Sequence, residues 1–169
     1  MEAFAIGDQV VYPNHGVGII EKISSRAFQG KSEEFYLLRI CSNDILVMVP
    51  IANAKDVGLR RTVDSKNVNA LFAFLSNGEF LSQRDWKDRF KENSEKMRSG
   101  SIVHVAEVYK NLVYLNKIKP LSFREKRMQD RARFLLVSEL ASVMKTPQED
   151  IELRVDKTLE KACAKFPVA

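Results

Sequence analysis

The sequence predicts an α+β fold in two parts: a small N-terminal β-barrel over residues 1–62 and a compact all-α domain of five helices over residues 63–169. Three observations predict it. In the first part, short β-prone runs alternate with Gly, Pro and Asn turns at spacings of roughly 8–12 residues. After about Arg61, apolar residues recur at every third and fourth position, the helical period. The charge divides at the same place. Residues 1–61 hold seven Lys/Arg and seven Asp/Glu, whereas residues 62–169 hold 20 and 15, so the whole excess of +5 lies in the second part.

Asp8–Tyr12 is a β-prone run stopped by Pro13, and Asn14-His15-Gly16 supplies a turn. Val17–Ile23 resumes the strand, Gln29-Gly30-Lys31 turns, and Phe35–Ile40 forms a third strand. Ser42-Asn43-Asp44 leads into Ile45–Val49, ended by Pro50. A last short strand is expected near Asp56–Leu59. Closing a barrel from so few strands needs tight bends, where Gly16, Gly18 and Gly30 serve.

In the second part, Asp64 or Ser65 caps a helix carrying Val68, Leu71, Phe72 and Leu75 on one side, stopped at Asn77-Gly78. Ser82 begins the next, with Asp85 three residues on in the manner of a capping box, and Ser99-Gly100 ends it. Ser101 caps a third helix with Ile102, Val105, Ala106, Tyr109, Leu112 and Val113 inward, closed by Pro120. Ser122 opens a long fourth helix with Met128, Ala132, Leu135, Leu136 and Leu140 inward. Thr146 as N-cap and Pro147 at the first helical position start the fifth, whose stripe is Ile151, Val155, Leu159, Ala162, Cys163 and Phe166.

Composition narrows the function. With 45% hydrophobic and 29% charged residues the chain is globular rather than disordered. No run of about 18 apolar residues exists, and the N-terminus lacks a basic then apolar leader, so a cytoplasmic location is expected. Two cysteines and two histidines fit no metal-ligand spacing, and Cys41 and Cys163 read as reduced core thiols. No phosphate loop or nucleophile elbow occurs. Gly16-Val17-Gly18 leads into a strand, unlike a dinucleotide site. The helix carboxylates sit beside cations, as in Asp85–Arg89, Asp88–Lys91 and Glu92–Lys96, and read as surface pairs. No enzyme, cofactor or metal is expected.

Two features stand out. Trp86, the only tryptophan, lies among Arg84, Lys87, Arg89 and Lys91. Either it packs against Leu81 as a hydrophobic staple, four residues into its helix, or it projects from a basic helix end as a wedge against a base step. The segment 117–133 holds seven Lys/Arg against Glu125 and Asp130. Within it Arg124, Arg127 and Arg131 share one helix face, suited to a phosphate backbone or simply to water. The charge-balanced barrel suits a protein partner, through strand edges open to a partner strand.

The residues also resemble a known family. Phe4-x-x-Gly7-Asp8-x-Val10-Val11-Tyr12-Pro13-x-His15-Gly16-Val17-Gly18 resembles the opening of the CarD/CdnL family of bacterial transcription regulators, a module shared with the transcription-repair coupling factor. Phe35–Ile40, Val49-Pro50, Val57–Arg60, Trp86 with Arg89, Ser99-Gly100, Ala106-Glu107-Val108 and Leu121-Ser122-x-x-Glu125-Lys126-x-Met128 continue the likeness across the chain. The resemblance implies a Tudor-like or SH3-like barrel that docks on the RNA polymerase β subunit, here through Arg26, Leu37, Met48 and Pro50. It implies a helical domain that contacts DNA at the upstream edge of the transcription bubble, with Trp86 as wedge and Lys91 as a neighbouring cation. Lys87, Arg89, Arg124, Arg127 and Arg131 complete the expected DNA face. One departure stands out: several members carry Arg two positions after the Trp, and here Asp88 occupies that place. The expected protein is a monomer that stabilises open promoter complexes with little sequence preference. The alternative is an architectural DNA-binding protein acting without polymerase.

Overall fold

The computed structural model describes residues 3–77 and 85–165, with only the backbone at Phe28 and Trp86. The chain divides into two compact units, the first reaching Thr62 and the second beginning at Val63.

The first unit is a five-stranded antiparallel sheet: β1 (Gln9–Tyr12), β2 (Gly16–Phe28), β3 (Lys31–Ile40), β4 (Leu46–Pro50) and β5 (Arg60–Arg61). The spatial order is β4-β3-β2-β1-β5. The expected barrel closure is not found: among the described residues no pairing joins β4 to β5, and the sheet is open. The physical reason lies at its ends. β5 is only two residues long and spends its pairing on β1, while β4 stops at Pro50, which has no N–H to donate. The strand expected near Asp56–Leu59 instead begins only at Arg60, because Gly58 (φ 82°) closes a turn in which its N–H donates to Lys55 O.

β2 and β3 run longer than their apolar alternation suggests. Their outer ends, Ser24–Phe28 and Lys31–Phe35, pair residue for residue across Gln29 (φ 52°) and Gly30 (φ 77°). Two successive left-handed residues make the hairpin turn whose twist matches its strands. Glu21 is an extra residue in β2, a bulge between the pairs Ile20–Leu38 and Lys22–Leu37. Gly18 is required for another reason: a Cβ there would lie 2.7 Å from Leu38 Cδ1 and 3.0 Å from the Arg39 carbonyl. The core beneath one face holds Phe4, Val10, Ile20, Tyr36, Leu38, Ile40, Val49, Ala54 and Leu59.

The second unit packs α1 (Ser65–Ser76), α2 (Trp86–Ser99), α3 (Ile102–Ile118), α4 (Phe123–Met144) and α5 (Gln148–Ala164). Asp64 caps α1 by accepting from Lys66 N at 3.1 Å, and Ser122 caps α4 by accepting from Glu125 N at 3.2 Å. α1 buries Val68, Leu71, Phe72 and Leu75, as the period predicts. Two helix starts differ. Asp85 is extended (ψ 139°), so α2 begins at Trp86, which is therefore its first residue rather than its fourth. The expected start at Ser82 lies outside the described residues. Pro147 is the N-cap of α5 rather than its first residue (ψ 143°), since Thr146 turns its hydroxyl back to donate to Met144 O. Phe166 lies outside the described residues.

Candidate functional site

Two places in the fold collect the residues singled out from the sequence. The first is the open face and edge of the sheet. Side chains alternate across a strand, and Tyr36, Leu38, Ile40 and Val49 point into the core. Leu37, Phe35 and Glu33 therefore point out, as do their partners Met48, Pro50, Lys22 and Arg26. Leu37 stands opposite Met48, and Phe35 opposite Pro50. Met48 is 37% exposed and Leu46 43%, with Leu37 half-buried between strands. Arg26, exposed, faces Glu33 in the stretch of hairpin that runs past both β1 and β4. So Leu37, Met48 and Pro50 come together at one edge, and Arg26 shares their face farther out on the hairpin.

Among the described residues no strand pairs with the outer side of β4. Ile40 N donates to Ile45 O at 2.9 Å, while Ile40 O accepts from Asp44 N at 2.9 Å, so the backbone groups of Ile40 face the β3–β4 turn and β4. By antiparallel alternation Leu38–Val47 and Tyr36–Val49 are bonded pairs, and Leu46, Met48 and Pro50 turn their backbone groups away from β3. Next to this edge Arg39 Nε donates to Glu21 Oε2 at 2.8 Å and Arg39 Nη1 to Asp44 O at 2.9 Å. The hydrogen bond from Arg39 holds the Glu21 carboxyl below its usual range. The bulge residue thus fixes the orientation of Arg39 on β3.

The second place is where α2 and α4 begin. Trp86 opens α2, and its side chain lies outside the described part of the structure, as does Leu81, the partner a staple would use. The staple also needs the indole on the second helical turn, and the helix start at Trp86 removes that premise. Lys87, Asp88 and Lys91 are exposed. Arg89 is not: its side chain is 18% exposed, and its Nη2 donates at 2.8 Å to Oε1 of Glu125, itself 4% exposed. The pairing expected with Asp85 along the helix gives way to a partner 36 residues away. Glu92–Lys96 does form, at 3.3 Å, with Lys96 also reaching Glu107 at 2.9 Å.

Arg124, Arg127 and Arg131 stand exposed along α4. Each lies over an aromatic ring: Phe90 at 5.9 Å, Phe123 at 5.8 Å and Phe134 at 5.8 Å. Such contacts hold a guanidinium in place while leaving its charge toward solvent. Arg133 leaves the cluster, drawn to Asp156 at 2.8 Å and Glu152 at 3.5 Å on α5. A cavity of about 330 Å³ opens between the end of α3 and the start of α4, lined by Leu115, Lys119, Pro120, Leu121 and the Arg89–Glu125 pair.

In the sequence Glu125 is only an acid counted against a basic run and a position of the Ser122-x-x-Glu125 motif; its burial and its pairing with Arg89 come from the fold. Sequence reasoning missed Phe123, 73% exposed at the head of α4 beside Arg127. It missed Lys110, 1% exposed inside the bundle. Cys41 is exposed at the β3–β4 turn rather than in the core, because the inward residue there is Ile40; Cys163 is buried. His104 Nδ1 lies 2.8 Å from Ser99 Oγ at the end of α2, and the His15 ring lies against Tyr12. Among the described residues no group of three or more His, Cys, Asp or Glu could hold a metal ion, and no helix is long and apolar enough to cross a membrane.

The chain is similar to known proteins in both of its parts. Residues 4–63 match the CarD-like/TRCF RID domain and residues 70–156 the CarD C-terminal domain. YdeB of Bacillus subtilis (strain 168), described as a candidate transcription factor, is 33% identical over 149 residues, which is 88% of this chain and 97% of that protein. The solved structure of CdnLNt from Myxococcus xanthus is 39% identical, over 36% of this chain and 86% of that one, at a TM-score of 0.32.

Proposed function

The chain belongs to the CarD/CdnL family of transcription regulators, and from that premise we propose that it tethers itself to the RNA polymerase β subunit and stabilises the opened promoter. The observation that carries this reading is the order of the two matches, an N-terminal module shared with the coupling factor followed by the CarD C-terminal domain.

The sheet supports the tether. The outward backbone groups of Leu46 and Met48 offer an extended segment of the β subunit two N–H donors and two C=O acceptors, and Pro50 ends the register because it offers only a carbonyl. Leu37, Met48 and Arg26 line the outer face that such a strand would flank. Tethering raises the local concentration of the helical unit at the promoter, so weak contacts to DNA suffice. There Trp86 wedges at the upstream edge of the bubble. Lys87, Lys91, Arg124, Arg127 and Arg131 hold phosphates, which fixes position without reading sequence. Asp88, exposed in the same turn, subtracts from that attraction. A ligand shifts an equilibrium only by its differential affinity for the two states, and a preference for open DNA of about 1.4 kcal/mol multiplies the open population tenfold. The protein works as a monomer in the cytoplasm.

The test has two arms. Met48→Asp should abolish co-purification with polymerase, and Trp86→Ala should retain it while shortening the half-life of competitor-challenged open complexes. Normal binding by the first variant refutes the docking edge, and an unchanged half-life in the second refutes the wedge.

A further inference from the structure

The first turn of α2 is held in an unusual way. The buried residues of this helix, Asn93 and Met97, lie in its second half. At its head Lys87 and Asp88 are exposed, Phe90 is only half-buried, and Asp85 makes no side-chain capping hydrogen bond. Among the described side chains, two polar contacts tie this turn to α4. Arg89 Nη2 donates to Glu125 Oε1 at 2.8 Å, and the Arg124 guanidinium lies 5.9 Å from the Phe90 ring. Ser122 fixes the other side by capping the turn of α4 that carries Glu125.

This is a poor way to gain stability. Desolvating two charges offsets much of their attraction, and an apolar pair of similar size often does as well or better. Here the second carboxylate oxygen, Glu125 Oε2, is also sealed from solvent with no hydrogen-bond partner among the described residues. The charge-assisted hydrogen bond from Nη2 supplies direction instead, because the N–H groups of a planar guanidinium point along fixed lines. We infer that Arg89 and Glu125 are positioning residues: their pair sets the bearing of the α2 head, and with it Trp86 one turn earlier, against Arg124 on α4. Arg89 is then not a phosphate contact. The inference deepens the wedge reading and rests on it.

Electrostatics alone predicts the opposite sign for one variant. Glu125→Gln removes a negative charge beside the basic face, which on its own would strengthen DNA binding and lengthen open-complex half-life. The positioning role predicts a shorter half-life, approaching that of Trp86→Ala, and no additional shortening in the Trp86→Ala, Glu125→Gln double variant. A purely structural defect would instead add to the Trp86→Ala effect. Because Trp86 is the only tryptophan, iodide quenching and anisotropy of its emission in the free full-length protein report its placement directly, and both should change in Glu125→Gln. Arg89→Lys keeps the charge but not the planar guanidinium; it should reproduce both effects and stands in if Glu125→Gln fails to fold. Unchanged Trp86 emission, a longer half-life or additive shortening overturns the inference. If Trp86→Ala itself leaves the half-life unchanged, the wedge fails, and the emission measurement still judges the pair.

Discussion

Lys110 should be replaced by methionine, because it is the buried charge whose role is easiest to quantify. It lies on α3 at 1% exposure. Its Nζ donates to Phe74 O at 2.8 Å and to Asn77 Oδ1, and sits 4.5 Å from the centre of the Phe74 ring. These partners are the last turn and C-cap of α1, where helix carbonyls lack partners and the dipole favours a cation. Each hydrogen bond to a charged group is worth about 1.5–3 kcal/mol net. Methionine fills most of the same volume, so the cavity penalty is small. It also removes an ammonium whose burial costs several kcal/mol before compensation. The bond figures are already net of desolvation, so a loss of at least one such bond's worth, about 2 kcal/mol, is expected. For a unit of this size that corresponds to a fall in Tm of roughly 8–16 °C. Differential scanning calorimetry and circular dichroism at 222 nm would measure it. Lys110→Ala, which also opens a cavity, should lose more. A Lys110→Met protein as stable as the parent, or more so, would refute the capping argument, since desolvation would then outweigh the bonds to α1.

Burial and the charge of Asp156 push the Tyr109 hydroxyl up to about 12; it donates to Asp156 Oδ1 at 3.3 Å. Below pH 10 the phenol is neutral in both folded and unfolded chains, and its contribution is complete. Between pH 10 and 12 the unfolded chain releases the proton while the fold retains it, so about 1–2 kcal/mol of stability drains away. The difference in absorbance at 295 nm between the parent and Tyr109→Phe should show Tyr109 titrating late, and Asp156→Asn should bring it back toward 10; a Tyr109 that ionises near 10 in the parent contradicts this account. Gly18→Ala should destabilise the sheet unit by about 1–3 kcal/mol in urea melts, because the added methyl meets a backbone carbonyl that cannot swing aside. An unaffected midpoint would mean that β2 and β3 separate more easily than their register suggests.

Local chemistry was readable from the sequence because it acts within a turn or two. Asp64 and Ser122 announce their helices by capping N–H groups two or three residues on, and Val68, Leu71, Phe72 and Leu75 mark their shared face by spacing alone. Phe35–Ile40 reads as a strand, but with Phe35 and Leu37 as apolar as their neighbours, only the fold shows that Tyr36, Leu38 and Ile40 turn inward and Leu37 outward. The division near residue 62 and the family likeness came from the same one-dimensional record. What only the tertiary structure decided is who partners whom at a distance. An arginine in a sequence looks the same whether it meets water, phosphate or a carboxylate. Arg89 was drawn to Glu125, and Arg133 to Asp156 23 residues away, because folding brought those carboxylates within 3 Å. Lys110 is buried because the end of α1 lands on it. Whether the sheet closes was equally hidden, since it depends on the summed twist of five strands and on two residues, Arg60 and Arg61, finding β1. Periodicity and capping are encoded residue by residue, whereas Coulombic partners and sheet closure are properties of the assembled fold.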